Sequence, residues 1–277
     1  MDTKNHSDTS KLCLHTITTK PWNIEEAAKN YSAAGVKGIT VWRDALEGKN
    51  IKQTGNMLRD HDLTIVSLCR GGFFAAMESN KRKQAIDDNR KAIDEASELG
   101  TKMIVLVCGA DPCQSLEESR KQIRDGIAEV ASEAKAAGIV LTIEPLHPMY
   151  ADTRSAINTL SQANDMAEEL NLSCVGVAVD VYHLWWDPNL EKEIKRCGAN
   201  GNLSAFHICD WNVPTTDLLL DRGLMGEGCI PLKQIRSWVE AAGFKGFNEV
   251  EIFSTSYWKE DQSEYLKKII KAYRENC

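Results

Sequence analysis

Four polar residues stand at the ends of short apolar, β-rich runs. Glu144 lies at the tip of VLTIEP, Asp180 in VGVAVDVYH, His207 in LSAFHICDW and Glu251 in FNEVEIFS. Two glutamates, one aspartate and one histidine offer three oxygen donors and one nitrogen. That set suits one divalent ion of borderline or hard character: Mn, Co, Mg or Zn. Taken singly, each has a plainer use, since a strand-end carboxylate commonly caps a loop or helix and a lone histidine commonly sits satisfied in a core. Four on consecutive strands, all at the same end, are expected to act together as a metal site. Residues two apart share a face of a strand, so Ala178, Gly176, Ala205 and Thr142 lie behind these tips and leave room for a site. Glu249 shares the parity of Glu251 and could be a second inward carboxylate deeper in the barrel, but is read as a buried ion-pair partner.

A cation there would polarise the carbonyl of a bound ketose or keto-sugar. The proton on the neighbouring carbon then becomes removable by a carboxylate, and the cation stabilises the resulting ene-diolate. Glu144 and Glu251 come from different strands, so one can take the proton and the other return it, which is epimerisation. The same first step opens other outcomes. Return of the proton to the carbonyl carbon is aldose–ketose isomerisation. Expulsion of a leaving group by β-elimination makes a lyase acting on 3-oxo-glycosides, and loss of water makes an inosose-type dehydratase. A non-catalytic sugar-binding barrel is a further reading, against which the intact carboxylate pair speaks.

Other candidates surround these four. His183 could orient a substrate oxygen or support a ligand carboxylate, or be a buried histidine bonded to backbone. His147, in the loop HPMY, could reach the substrate or lie on the surface, and His15 could line the mouth from the first strand. Arg43 and Arg70 follow the second and third strands, and either could bind a carboxylate or phosphate or pair with a neighbouring acid. Trp185, Trp186 and Trp211 suit stacking on a sugar, or the interface of a homo-oligomer, dimer or tetramer. The connection between Cys209 and Cys229 is long enough to be a lid.

The elements that must position these residues follow from periodicity. Strands are expected at 11–17, 38–42, 64–69, 102–107, 140–144, 175–180, 203–208 and 247–253. Helical patterns are expected at 24–34, 56–60, 83–99, 116–137, 155–170, 190–195, 231–242 and 263–274. AAG at 33–35, 136–138 and 241–243 puts glycine after the last turn of three helices. Eight alternating βα units predict an α/β protein, a single (β/α)8 TIM barrel over 1–277 with a disordered tail at 1–10. An open doubly wound sheet is the alternative, weakened because no GxGxxG follows the first strand. In a barrel, strand C-termini carry the chemistry, which is where the four polar residues fall.

Composition bounds the partners. The 277 residues carry 33 Lys and Arg against 40 Asp and Glu, a net charge of −7. This argues against nucleic acid as the main partner. No apolar run is long enough to span a membrane, and the N-terminus MDTKNHSDTS is no export signal. The nine cysteines contain no CxxC and are read as buried, reduced thiols of a cytoplasmic protein.

EPLH at 144–147, DVYH at 180–183, HICDW at 207–211, DRGLMGEG at 221–228 and VEIF at 250–253 resemble the xylose-isomerase-like TIM-barrel superfamily. The resemblance is closest to its sugar phosphate isomerase/epimerase branch, which includes ketose 3-epimerases and inosose enzymes, and covers essentially the whole chain. It implies one divalent metal on Glu144, Asp180, His207 and Glu251, with the two glutamates as the acid/base pair. It also implies that His183 contacts the substrate and that Arg222 holds a substrate oxygen. Endonucleases of the superfamily carry Asp-Arg-His before the GEG motif. This chain has Asp221-Arg222-Gly223, which departs from that pattern.

Overall fold

The computed structural model describes residues 9–277. Eight parallel strands close on themselves: β1 (Leu12–His15), β2 (Gly38–Trp42), β3 (Thr64–Gly72), β4 (Met103–Val107), β5 (Val140–Glu144), β6 (Val175–Asp180), β7 (Leu203–Ile208) and β8 (Asn248–Val250). Each pairs with its neighbour in sequence, and β8 returns to β1 through Leu12 opposite Asn248. Helices α1 (Ile24–Ala33), α2 (Ile51–Asp60), α3 (Ser79–Leu99), α4 (Leu116–Ala137), α5 (Leu160–Leu170), α6 (Val181–Leu184), α7 (Leu190–Ala199), α8 (Leu232–Ala241) and α9 (Gln262–Asn276) run between the strands and after β8. The protein is a single (β/α)8 barrel. Of the tail expected at 1–10, residues 1–8 lie outside the described residues, while the Thr9 carbonyl accepts the amide of Leu12.

Local chemistry accounts for the elements. All five side chains of β4, MIVLV, are buried, as a strand covered on both faces requires. Asn23 and Glu26 form a reciprocal capping box at the start of α1. Gly138 ends α4 at φ 68°, the left-handed turn anticipated for it. Several boundaries differ from expectation. Helix α2 begins at Ile51 because Asn50 caps the Gln53 amide, and α5 begins only at Leu160, capped by Thr159. Pairing in β8 stops at Val250, so Glu251 lies one residue beyond the strand. Strand β3 runs on to Gly72 through a register shift between Cys69 and Gly71, which makes Arg70 the extra residue of a bulge. Short features that went unanticipated include the single turn α6, and an antiparallel ribbon of Asp210–Trp211 against Arg222–Gly223.

The outer faces of the strands join the helices in one continuous apolar core. Inside the barrel, Met103 packs with Ala178, Ala205 and Val66. Of the small residues behind the strand tips, Ala178 and Ala205 are therefore covered by a methionine rather than left as open space. Toward the strand C-termini the interior turns polar. Cys13, Thr40, Ser67 and Glu249 are all essentially inaccessible to solvent, and Thr40 lies 3.0 Å from Ser67. Among the described residues no helix is long and apolar enough to cross a membrane. The cysteines are free: six are buried, Cys277 is half-buried, and Cys113 and Cys229 are exposed, contrary to the expectation that all are buried.

Candidate active site

Five consecutive barrel strands deliver the site. Glu144 ends β5, Asp180 ends β6, His207 lies near the end of β7, Glu251 follows β8 and His15 ends β1. Asp180 and His207 are register partners, so they stand side by side at the same height. One donor atom from each of Glu144, Asp180, His207 and Glu251 lies within 4.8 Å of those of the other three. His15, His207 and Glu251 converge equally closely. All five are buried, Glu144 and Glu251 being the most accessible at 4%.

The polar atoms of this cluster are poorly satisfied by protein. Glu144 Oε1 and His207 Nδ1 are 2.8 Å apart, yet neither finds a hydrogen bond of acceptable geometry, and Asp180 Oδ2 has none either. Buried polar atoms without partners are rare in folded proteins. Three orphans, one on each of three neighbouring strands and all facing one point, match what a cation would satisfy. Charge agrees with geometry. Burial raises the Asp180 carboxyl to about 7, Arg222 opposes this, and Glu251 and Glu144 add to it. Burial and the neighbouring carboxylates thus disfavour the ionised form of Asp180, a cost that a cation would relieve.

Arg222 reaches the cluster from the ribbon. It donates to Glu251 Oε2 at 2.6 Å, lies 3.6 Å from Asp180 Oδ2 and is sandwiched by Tyr182 and Phe253, with its guanidinium carbon 4.2 and 5.0 Å from their ring centres. Burial disfavours the charge of Glu251, but Arg222 and His15 outweigh it and hold that carboxyl well below the usual range. His183 lies between the two, its Nε2 3.4 Å from Arg222 and 3.6 Å from Asp180 Oδ2. Burial and Arg222 push its pKa well down, so it is a neutral imidazole. Arginine can only donate, so a hydrogen bond between the two would make Nε2 the acceptor.

Beneath the cluster Glu249 gathers what sequence reasoning anticipated only as an ion pair. Its Oε2 accepts from Thr40 at 2.6 Å and Ser67 at 3.3 Å, and lies 3.4 Å from His15 Nε2 and 3.8 Å from His207 Nε2. Burial lowers the pKa of both histidines, but the carboxylates prevail. Glu249 and Glu144 bring His207 to about 10, and Glu251 and Glu249 bring His15 to about 9. His15 Nδ1 also lies 3.2 Å from the indole nitrogen of Trp42 and 3.1 Å from Glu251 Oε1. The first partner favours the neutral ring and the second the imidazolium. Trp42 had no signal in the sequence, because its role depends on the register between β1 and β2.

His147 stands at the mouth rather than among the ligands. Its ring lies 5.6 Å from Trp186 and 5.4 Å from Trp211, and Trp211 stacks on Tyr182 at 4.8 Å. The three tryptophans, half-buried, so form one aromatic group with His147 and Tyr182. The connection from 212 to 221 is tied down at Leu218, whose carbonyl accepts both the Tyr150 hydroxyl at 2.7 Å and that of Tyr182 at 2.9 Å. Arg43 is taken up by Asp88 and Glu95. Arg70 instead rests on Phe73, its guanidinium carbon 4.2 Å from the ring centre.

Comparison with known proteins agrees with this architecture. Residues 27–275 match the family model described as xylose isomerase-like TIM barrel. Inosose isomerase of Bacillus velezensis is 22% identical over 267 residues, covering 93% of each chain. The crystal structure of protein SMc04130 from Sinorhizobium meliloti superposes with a TM-score of 0.94 at 44% identity, covering 98% of this chain and 99% of that one. The IOLI protein, solved with a bound zinc atom, superposes with a TM-score of 0.84 at 21% identity over 96% and 97% of the two chains. Closed barrel, strand-end cluster and whole-length match lead to one assignment: the chain belongs to the xylose isomerase-like TIM-barrel family.

Proposed function

We propose that the protein is a divalent-metal-dependent isomerase or epimerase of sugars. The observation that carries this is the buried convergence of Glu144, Asp180, His207 and Glu251, the first three of which carry polar atoms that no protein group satisfies. Those four residues would hold the ion. The zinc named with the IOLI structure and the isomerase activity named for the Bacillus relative support the reading. When bound, the ion supplies a Lewis acid that polarises the substrate carbonyl.

The remaining work falls to side chains. Glu251 is kept ionised by Arg222 and His15, the state needed to take a proton from the carbon beside the carbonyl. Glu144, from β5, is separated from Glu251 by the two intervening strands and can deliver a proton from a different direction. Neutral His183 and the fixed guanidinium of Arg222 offer hydrogen bonds to substrate oxygens.

The test is solvent exchange. Metal-loaded protein in deuterated water should incorporate deuterium at a carbon next to the carbonyl of a keto-sugar, and a chelator should abolish this. Glu251→Gln should retain the ion and lose exchange by roughly 100-fold or more. Exchange at the wild-type rate in that variant would remove Glu251 from the role.

A further inference from the structure

Two arginines at the barrel mouth lack the acidic partners that such residues normally have. Among the described residues, neither the Arg70 nor the Arg154 guanidinium pairs with a carboxylate. Each rests on an aromatic ring instead, Arg70 on Phe73 at 4.2 Å and Arg154 on Tyr150 at 5.4 Å. The neighbouring Arg43, by contrast, is fully engaged by Asp88 and Glu95. Both unpaired arginines are half-buried. A ring face fixes the plane of a guanidinium but leaves its N–H groups unspent.

The backbone brings the two together. Arg70 is the extra residue of the β3 bulge, a device that re-aims a side chain. Asn89 on α3 clamps that bulge through both the amide and the carbonyl of Gly72. Phe73 donates its amide to the carbonyl of Val107, and a Cβ on Gly109 would stand 2.8 Å from the Phe73 Cα. Gly109 in turn donates to the carbonyl of Arg154. Rim segments of β3, β4 and the connection after β5 are therefore laced side by side, and burial first, then the charge of Arg154, disfavours protonation of Arg70.

Each arginine is linked to the carboxylate–histidine cluster through an intervening aromatic residue. The ring of Tyr150, under Arg154, lies 5.8 Å from His183. Arg70 follows Cys69 and lines with it a cleft of about 770 Å³, whose wall includes Trp42, bonded to His15.

We propose that Arg70 and Arg154 bind an anionic group, a phosphate ester or a carboxylate, at the end of the sugar remote from the reacting carbon. The inference rests on the isomerase reading above and narrows its substrate class to acidic sugars. Two half-buried like charges raise each other's energy, and one oxyanion between them offsets both while accepting their free N–H groups.

The experiment compares three keto-sugars of matched skeleton (neutral, terminally phosphorylated, and terminally carboxylated) with metal-loaded wild type and Arg70→Met/Arg154→Met. The double variant should raise KM for one anionic substrate on the order of 10–100-fold, with kcat within about twofold and turnover of the neutral sugar unchanged. Unchanged neutral turnover also reports an intact fold. Which anionic sugar shows the effect identifies phosphate or carboxylate as the source. Equal KM values in the two proteins would overturn the anion site while leaving the isomerase reading intact. Absence of exchange with every sugar would instead overturn the isomerase reading. The arginines would then be judged by phosphorus NMR titration of inorganic phosphate into the metal-loaded proteins. Binding lost in the double variant supports the anion site, and binding that is absent in wild type or undiminished in the variant overturns it.

Discussion

Glu249→Gln is the sharpest single perturbation of the site, because it changes one charge without changing shape. In the native protein one oxygen, Oε2, receives Thr40 and Ser67 and faces both His15 and His207. The other oxygen, Oε1, has no partner. A glutamine that keeps the Thr40 and Ser67 bonds must place its NH2 where Oε1 was, which leaves a buried donor unsatisfied at about 1–3 kcal/mol. The bonds to Oε2 also lose charge assistance, worth about 1.5–3 kcal/mol for a charged acceptor and less for a neutral amide. Relief of carboxylate desolvation works the other way. The metal-free variant should therefore unfold about 2–4 kcal/mol more easily in urea. Its metal affinity should fall by about 10–100-fold, the usual effect of removing a carboxylate that backs a histidine ligand. Chelator competition measures the second quantity independently of the first. A variant that folds and binds zinc or manganese with unchanged affinity would refute the expectation that Glu249, 3.8 Å from His207 Nε2, supports that histidine as a ligand.

Other perturbations test the frame around the site. Asp210 accepts the amides of Trp211, Gly226 and Ile230 at 2.8–2.9 Å, so Asp210→Ala orphans three donors and should cost about 3 kcal/mol or more in urea unfolding. Tyr150→Phe removes one of two hydroxyls on the Leu218 carbonyl. It should cost about 1 kcal/mol and speed proteolysis within 212–221, with Tyr182→Phe adding to the effect. The Arg43 hydrogen bond holds the Asp88 carboxyl below its usual value. Its stabilisation is present above the ordinary aspartate pKa of about 3.9 and disappears as pH falls through the depressed folded value. Asp88→Asn should accordingly lower the urea midpoint at neutral pH and match wild type at about pH 2.

The barrel was legible because each βα unit carries its own periodicity. The run MIVLV and the AAG stops are local signals, and the structure uses them where they stand. Strand-end position was equally local, which is why Glu144, Asp180, His207 and Glu251 could be named without coordinates and are found converging. Parity singled out Glu249, expected as a buried ion-pair partner, and it is found buried beside His15 and His207. Its partners Thr40 and Ser67 escaped notice because hydroxyl residues on other strands acquire meaning only through barrel register. The ribbon was invisible for a related reason. Two residues per strand leave no period to detect, yet that ribbon delivers Arg222 to Glu251 from 29 positions away.

Arg222 shows how an expectation changes once packing is known. The resemblance implied a residue that holds a substrate oxygen, whereas the structure shows the guanidinium spent first on Glu251, with Asp180 nearby. Both roles are compatible only if the contact with Glu251 uses part of the fork. It does: Nη1 bonds Glu251, Nη2 faces His183 and Nε has no partner. The same cation therefore keeps Glu251 ionised and retains donors for a ligand. Arg222→Lys should separate the two functions. A lysine supplies the charge but not the planar fork, so the acidic limb of the exchange rate should shift little while KM rises. A shifted acidic limb with unchanged KM would show that Arg222 serves the carboxylate alone.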